Sequence, residues 1–284
     1  MLKLGVHVSI AGGIHKSIDR AFSLGCNTMQ IFARNPRRFR KGFLCKEDIE
    51  NFRKKVKASA IKPVVIHAPY TLNLAASKKF LHWITIKEFI LDLVEADKIG
   101  AQYLVTHTGS HKGVSEDKGL KKVVKAFKKI LKTTESLKTR ILIENTSGTK
   151  NQLGYTFSHY RFILKELDFT PKLGVCLDTA HTWSAGYEIN RKEGLDDFLK
   201  MVDKTVGIKR VKVIHLNDTR EELGSGKDRH CHIGEGKIGI NGFALIVNHP
   251  LLKKLPFILE TPRDEKTDDL RNLAIIRRLY QDEL

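Results

Sequence analysis

The feature that most limits what this chain can fold into is one pattern repeated eight times: a short apolar, β-branched run, a turn, then an amphipathic stretch. The runs are KLGVHVS (3–9), TMQIFARN (28–35), KPVVIHA (62–68), QYLVTHT (102–108), RILIENT (140–146), KLGVCLDT (172–179), VKVIHLND (211–218) and PFILET (256–261). The spacing between them is helical. Ile49, Phe52 and Val56 lie on one face of KEDIENFRKKVKASA, and Leu120, Val123, Phe127 and Ile130 do the same in KGLKKVVKAFKKILK, with lysines opposite. Ser158 before HYRFILKEL and Asp268 before DLRNLAIIRRLY read as helix N-caps. Continuous apolar strands alternating with helices imply a parallel sheet buried on both faces. Eight such units in 284 residues predict a single (β/α)8 TIM barrel over 1–284, with a doubly wound open sheet as runner-up.

What closes the later runs is more specific. Strand 3 ends on His67, strand 4 on His107, strand 5 on Glu144, strand 6 on Asp178, strand 7 on His215 and strand 8 on Glu260. In a parallel barrel the carboxyl ends of all strands share the face on which active sites are built. The stretch DRHCHIGEG (228–236) falls in the longest strand-to-helix connection and adds Asp228 and His230, two apart, so both point to one side of an extended segment. His181 follows Asp178 by three residues. A lone core histidine is usually satisfied by hydrogen bonds, but this many ionisable groups in one basin need a compensating cation. Five histidines and four carboxylates without cysteine suit Zn2+, with Mn2+ or Fe2+ as substitutes, in open catalytic sites holding two or three ions.

Other residues carry blander expectations. Cys176 and Cys231 read as packing residues turned away from the ligands; His15, His82, His159 and His249 read as solvated; His7, His111 and His232 stand on the right face without a matching partner. The four cysteines form no CxxC pair, which argues against a disulfide framework and for a reducing, cytoplasmic setting. The opening MLKLGVHVSIAGG has too short an apolar run for a signal peptide, and polar residues interrupt the charge-free stretch 63–77, so no membrane span is expected. GEGKIG (234–239) matches GxGxxG in letters, yet DRHCHI rather than an apolar strand precedes it, so a dinucleotide site lacks its context. Neither GxSxG nor a P-loop occurs. Lys+Arg 50 against Asp+Glu 32 gives a formal charge of +18, a field that favours polyanions. Several borderline cations beside such a surface suit phosphodiester hydrolysis. A monomer is the default expectation.

HVSIAGG, GVCLDTAHTWSAGY, VIHLNDT, DRHCHIGEGKIG and FILET together resemble the endonuclease IV family of apurinic/apyrimidinic endonucleases, in family order from residue 7 to about 261. The resemblance implies a TIM barrel with three zinc ions that hydrolyses double-stranded DNA 5′ to an abasic site, leaving a 3′-hydroxyl and a 5′-deoxyribose phosphate, in base excision repair. Removal of blocked 3′ ends belongs to the same expectation. By motif, His67 and His107 would bind one zinc and Glu144 would bridge it to a second. Asp178, His215 and Glu260 would complete the second, and His181, Asp228 and His230 would hold the third. Glu144 and Glu260 are implied as catalytic, with Glu260 orienting the attacking hydroxide. Arg37 in RNPRRF and Tyr70 in HAPYTLNL stand at the positions that contact DNA and help flip the abasic sugar out, which is least costly where a base is already missing. Thr71 replaces the larger apolar residue of many relatives, so insertion should rest more on Arg37 and Tyr70.

Two rivals remain at this stage. A sugar or sugar-phosphate isomerase or epimerase shares the barrel and the strand-end metal, but needs neither the His181/Asp228/His230 set nor a basic surface. A non-catalytic DNA-binding protein would explain the charge and leave nine ligands idle.

Overall fold

In the computed structural model, which describes residues 1–36 and 43–281, the apolar runs become eight parallel strands. They are β1 (Lys3–Val6), β2 (Met29–Phe32), β3 (Val64–His67), β4 (Tyr103–Thr106), β5 (Arg140–Glu144), β6 (Leu173–Asp178), β7 (Val211–His215) and β8 (Pro256–Leu259). The helices are α1 (Lys16–Ser23), α2 (Lys46–Ala58), α3 (Lys79–Ile99), α4 (Glu116–Thr133), α5 (Phe157–Lys165), α6 (Thr179–Ser184), α7 (Lys192–Val206), α8 (Gly239–Asn248) and α9 (Asp268–Leu279). Strands pair in the order β1-β8-β7-β6-β5-β4-β3-β2. The remaining seam, between β1 and β2, is closed by a parallel bridge between His7 and Gln30, by Val8 N–H donating to Gln30 O at 2.7 Å, and by Asn27 N–H donating to Leu4 O at 3.1 Å. The result is a (β/α)8 barrel, and the open doubly wound sheet is excluded. Gly5 permits that closure, because a Cβ there would stand 1.9 Å from Thr28 O.

Two apolar layers follow from strand alternation. Val65, Val105, Leu142, Cys176, Val213 and Ile258 meet inside the barrel. Their neighbours Ile66, Leu104, Ile141 and Ile143 face outward into the larger core, where Phe52, Phe89, Phe127, Tyr160 and Phe243 from the helices are fully buried. Burying such a side chain stabilises by roughly 1.5–3 kcal/mol, which makes this shell the main source of cohesion. Among the described residues no helix is long and apolar enough to cross a membrane.

Several local expectations need correction. The N-cap position of α5 is Thr156, and Ser158 already lies inside the helix, its hydroxyl 3.1 Å from that of Thr156. Asp268 is the first residue of α9 rather than its cap; its carboxylate accepts N–H bonds from Asp264 and Glu265 and so fixes the loop leading in. His82 and His159 are buried, not solvated. His82 Nε2 donates to Lys122 O at 3.0 Å and staples α3 to α4, while His159 Nδ1 accepts from Gly154 N–H at 3.0 Å. Burial pushes the pKa of both below the usual imidazole range. Helix-to-helix packing covers these residues, and the sequence periodicity of a single helix does not reveal it.

Candidate metal centre

Alternation within each strand builds the site. Two residues beyond each member of the inner apolar layer, and hence on the same face, stand His67, His107, Glu144, Asp178, His215 and Glu260. Cys176 therefore shares its face with Asp178, one layer deeper, rather than alternating away from it; burial lifts its thiol to about 12, so it serves as packing. His107 and Glu260 each lie one residue past their strand, where the chain still continues the pleat.

The ligand atoms sort into three linked groups. Donor atoms of His67, His107 and Glu144 all lie within 4.8 Å of one another, as do those of Glu144, Asp178, His215 and Glu260, and those of Asp178, His181 and His230. Glu144 thus belongs to the first two groups. Asp178 belongs to the last two, a sharing that the sequence reading assigned only to the second. Asp228 stands at the exposed edge of the third group, its Oδ1 3.1 Å from His181 Nε2 and 3.6 Å from His230 Nε2. Asp228 and His230 do turn to one side, as their spacing predicts, and Cys231 between them and the glycines is buried with its N–H donating to Asp218 O. Glu144, Asp178 and His215 are fully buried.

Four of the imidazoles are aimed by their other nitrogen. His67 Nδ1 lies 2.6 Å from Ala68 O, which leaves Nε2 facing Glu144 Oε2 at 3.0 Å. His181 Nδ1 lies 2.9 Å from Asn145 O, and His230 Nδ1 lies 3.3 Å from Glu260 O. His215 turns Nε2 to Gln30 Oε1 at 2.9 Å and Nδ1 to Glu144 Oε1 at 2.9 Å. This one-nitrogen-anchored arrangement is how metal-ligating histidines are held. His230 Nε2, which faces Asp178 and Asp228, is buried without a hydrogen-bond partner, and His107 turns its Nε2 to Glu144 Oε2 at 3.5 Å. An orphaned imidazole nitrogen among carboxylates fits a divalent cation of the zinc type.

The electrostatics agree. Burial opposes the charge on Glu144, yet His107, His215 and His67 around it hold its carboxyl well below the usual range. Burial likewise opposes a charged His181, but Asp178, Asp228 and Glu144 lift it to about 10. Asp228 falls to about 2 against its burial, chiefly through His181. Glu144 and Asp228 are thus held in the charged form that a divalent cation would bind.

Sequence reasoning placed His7 on this face without its partner and missed the other residues that aim the carboxylates. Gln30 Nε2 donates to Glu260 Oε1 at 2.5 Å, and His7 Nδ1 lies 3.2 Å from the same oxygen. Asn217 Nδ2 donates to Asp178 Oδ2 at 2.6 Å while its Oδ1 accepts from Glu260 N–H at 2.8 Å. Asn145 Oδ1 accepts from Asp178 N–H at 2.7 Å. The available signal was position, since His7, Asn145 and Asn217 lie just after strand ends and Gln30 lies within β2. The GEGKIG segment turns its amides onto Asp218: Gly234, Gly236, Ile238 and Gly239 N–H all donate to that buried carboxylate. Its anion is internal, which is why the dinucleotide motif is empty of meaning here.

Tyr70 stands on the basin rim, 60% exposed, edge-on to Phe32 with centroids 6.2 Å apart. Arg37 lies outside the described residues. The segment leading to it is anchored by Arg34, whose buried guanidinium donates to both oxygens of Asp92 at 2.8 and 3.1 Å. A fourth set, His232 with Asp264 and Asp268, lies apart, with Asp268 already engaged by main-chain amides.

The family described as xylose isomerase-like TIM barrel matches residues 18–279. Along the sequence, the chain is 40% identical over 282 residues to the "Probable endonuclease 4" of Chloroflexus aurantiacus, covering 99% of each. In three dimensions it superposes on the crystal structure of endonuclease IV from Thermus thermophilus with a TM-score of 0.87 and 34% identity, over 98% of each chain. A D-tagatose 3-epimerase-like protein shares the fold at a TM-score of 0.75 and 19% identity, over 98% of this chain and 97% of that one.

Proposed function

Because the chain belongs to the endonuclease IV family within the xylose isomerase-like TIM barrels, we propose that it is a zinc-dependent abasic-site endonuclease of base excision repair. It hydrolyses the phosphodiester 5′ to an abasic site in double-stranded DNA, leaving a 3′-hydroxyl and a 5′-deoxyribose phosphate, and it also trims blocked 3′ ends. The observation that carries this reading is the continuous chain of three ligand groups linked by Glu144 and Asp178. An epimerase needs no third group of that kind, and likeness to one at 19% identity extends to the fold alone.

His67 and His107 would hold one zinc, with Glu144 shared between it and a second. Asp178, His215 and Glu260 would complete the second, and His181, Asp228 and His230 would hold the third. Bound cations of this type supply a hydroxide near neutral pH and neutralise charge on the attacking and leaving oxygens. The protein's own contribution is placement. Gln30 and His7 fix the Oε1 edge of Glu260, so that this carboxylate orients the attacking water and accepts its proton. Tyr70 and Arg37 meet the duplex at the lesion, where the absent base lowers the cost of unstacking.

The test is incision of an end-labelled duplex bearing one tetrahydrofuran abasic analogue, resolved on a denaturing gel, before and after chelation and zinc repletion. Zinc-restored cleavage immediately 5′ of the analogue is expected. Chelator-resistant cleavage, or none by the zinc-loaded protein, would refute the assignment.

A further inference from the structure

The rim of the ligand-bearing face carries a second surface that takes no part in the chemistry above. Helices α3 and α4 both begin there, since each helix follows the carboxyl end of a strand. At the start of α3, Phe80 and Trp83 are 68% and 54% exposed, and their ring centroids lie 6.0 Å apart. The Lys87 ammonium sits 5.4 Å from the Trp83 ring centre. Alongside, a groove of about 470 Å³ is lined by Ser77, Val114 and four lysines, Lys118, Lys121, Lys122 and Lys125. Buried His82, one residue from Trp83, is bonded to the Lys122 carbonyl and so holds together the two helices that carry the aromatic and the basic halves.

Neither half is well served by water alone. Lys121 pairs with Asp117 at 2.8 Å, whereas Lys118, Lys122 and Lys125 have no carboxylate partner among the described residues. Lysines three and four apart on a helix repel one another, and a bound polyanion relieves that repulsion. Two touching, exposed aromatic rings want a flat apolar partner. A duplex hides the faces of its bases, and a lipid headgroup offers charge without a plane to stack. Only an unpaired strand presents phosphates and base faces together.

We propose that this surface binds single-stranded DNA, with bases stacked on Phe80 and Trp83 and the backbone tracked by Lys118, Lys122 and Lys125. It would seat an unpaired stretch running on from the basin, such as one flanking a lesion in a gap or at a frayed end. The inference rests on the abasic-endonuclease reading only for why a DNA strand should arrive at this rim.

Anisotropy of a fluorescein-labelled oligothymidylate of ~12 nucleotides, titrated with the full chain, tests it. Wild type should bind, and Phe80→Ala with Trp83→Ala should weaken binding about tenfold. Lys118→Gln, Lys122→Gln and Lys125→Gln together should reduce the slope of log K against log salt by about 2. Both variants should incise a short abasic duplex at the wild-type rate. Unchanged oligonucleotide binding in both variants would overturn the proposal, as would a wild type that ignores the oligonucleotide and binds phosphatidylserine vesicles through these residues. If wild type fails to incise yet binds the oligonucleotide through this surface, the strand site stands and the incision reading falls.

Discussion

Glu260 shows how much of the site depends on residues that would never touch an ion. Its main-chain N–H is held by Asn217, and its Oε1 receives Gln30 and faces His7. The result is a carboxylate with one edge fixed and the other, Oε2, turned to His215 at 3.3 Å. Its pKa is held below the usual carboxylate range, burial being outweighed by His215 and His7, so the carboxylate is ionised. Glu260→Gln keeps the size and removes the basicity. The turnover rate should fall by at least about 10²-fold, while abasic-duplex affinity, followed by anisotropy, stays close to wild type. A near wild-type rate would remove Glu260 from the chemistry. Tyr70 differs in kind: it lies exposed on the rim, and the role proposed for it would depend on what a duplex brings.

At the scale of elements, the β7–α8 connection is the part most easily broken. Much of what holds Asp228 and His230 in place runs through Asp218, whose carboxylate gathers four amides of GEGKIG further along and whose carbonyl accepts from Cys231 N–H. Gly236 lets the loop close on it, since a Cβ there would stand 2.3 Å from Asp218 Oδ1. Asp218→Ala should lower stability by about 3 kcal/mol, seen as a drop in thermal midpoint, and should loosen the third ligand group before the first two, seen as the early loss of one ion on dialysis. Loss of all ions together would contradict that division. The strand ends were legible because a period of two forces the last inward residue to the rim, and there a charged or imidazole side chain announces itself. Asp218 was not legible, because its partners lie 16 to 21 residues away and only the folded loop brings them together. Gln30 and Asn217 were hidden for a related reason: an amide on a strand reads as ordinary polar filling until its partner is seen. The buried state of His82 and His159 depended on which helices became neighbours, a matter of the whole ring.

For the whole molecule, closure matters most. The first strand pairs with the last, and the ligands come from β3 through β8 and the loops that follow them. A bound ion therefore ties together segments far apart in the chain, and its binding energy becomes folding energy. Calorimetry should show one cooperative transition, with chelation lowering its midpoint by roughly 5–10 °C; a midpoint indifferent to chelator would mean that the ions are not held by those strands. The six apolar side chains beneath the ligands give the barrel a floor. The basin is thus a cup with a single mouth, and ions, water and DNA share it. On the proposed function, cations would enter before the duplex does, and a duplex lying across the mouth would lock them in. Metal exchange should accordingly be fastest in the free enzyme, so a chelator competes with loading between encounters with DNA and hardly at all during one.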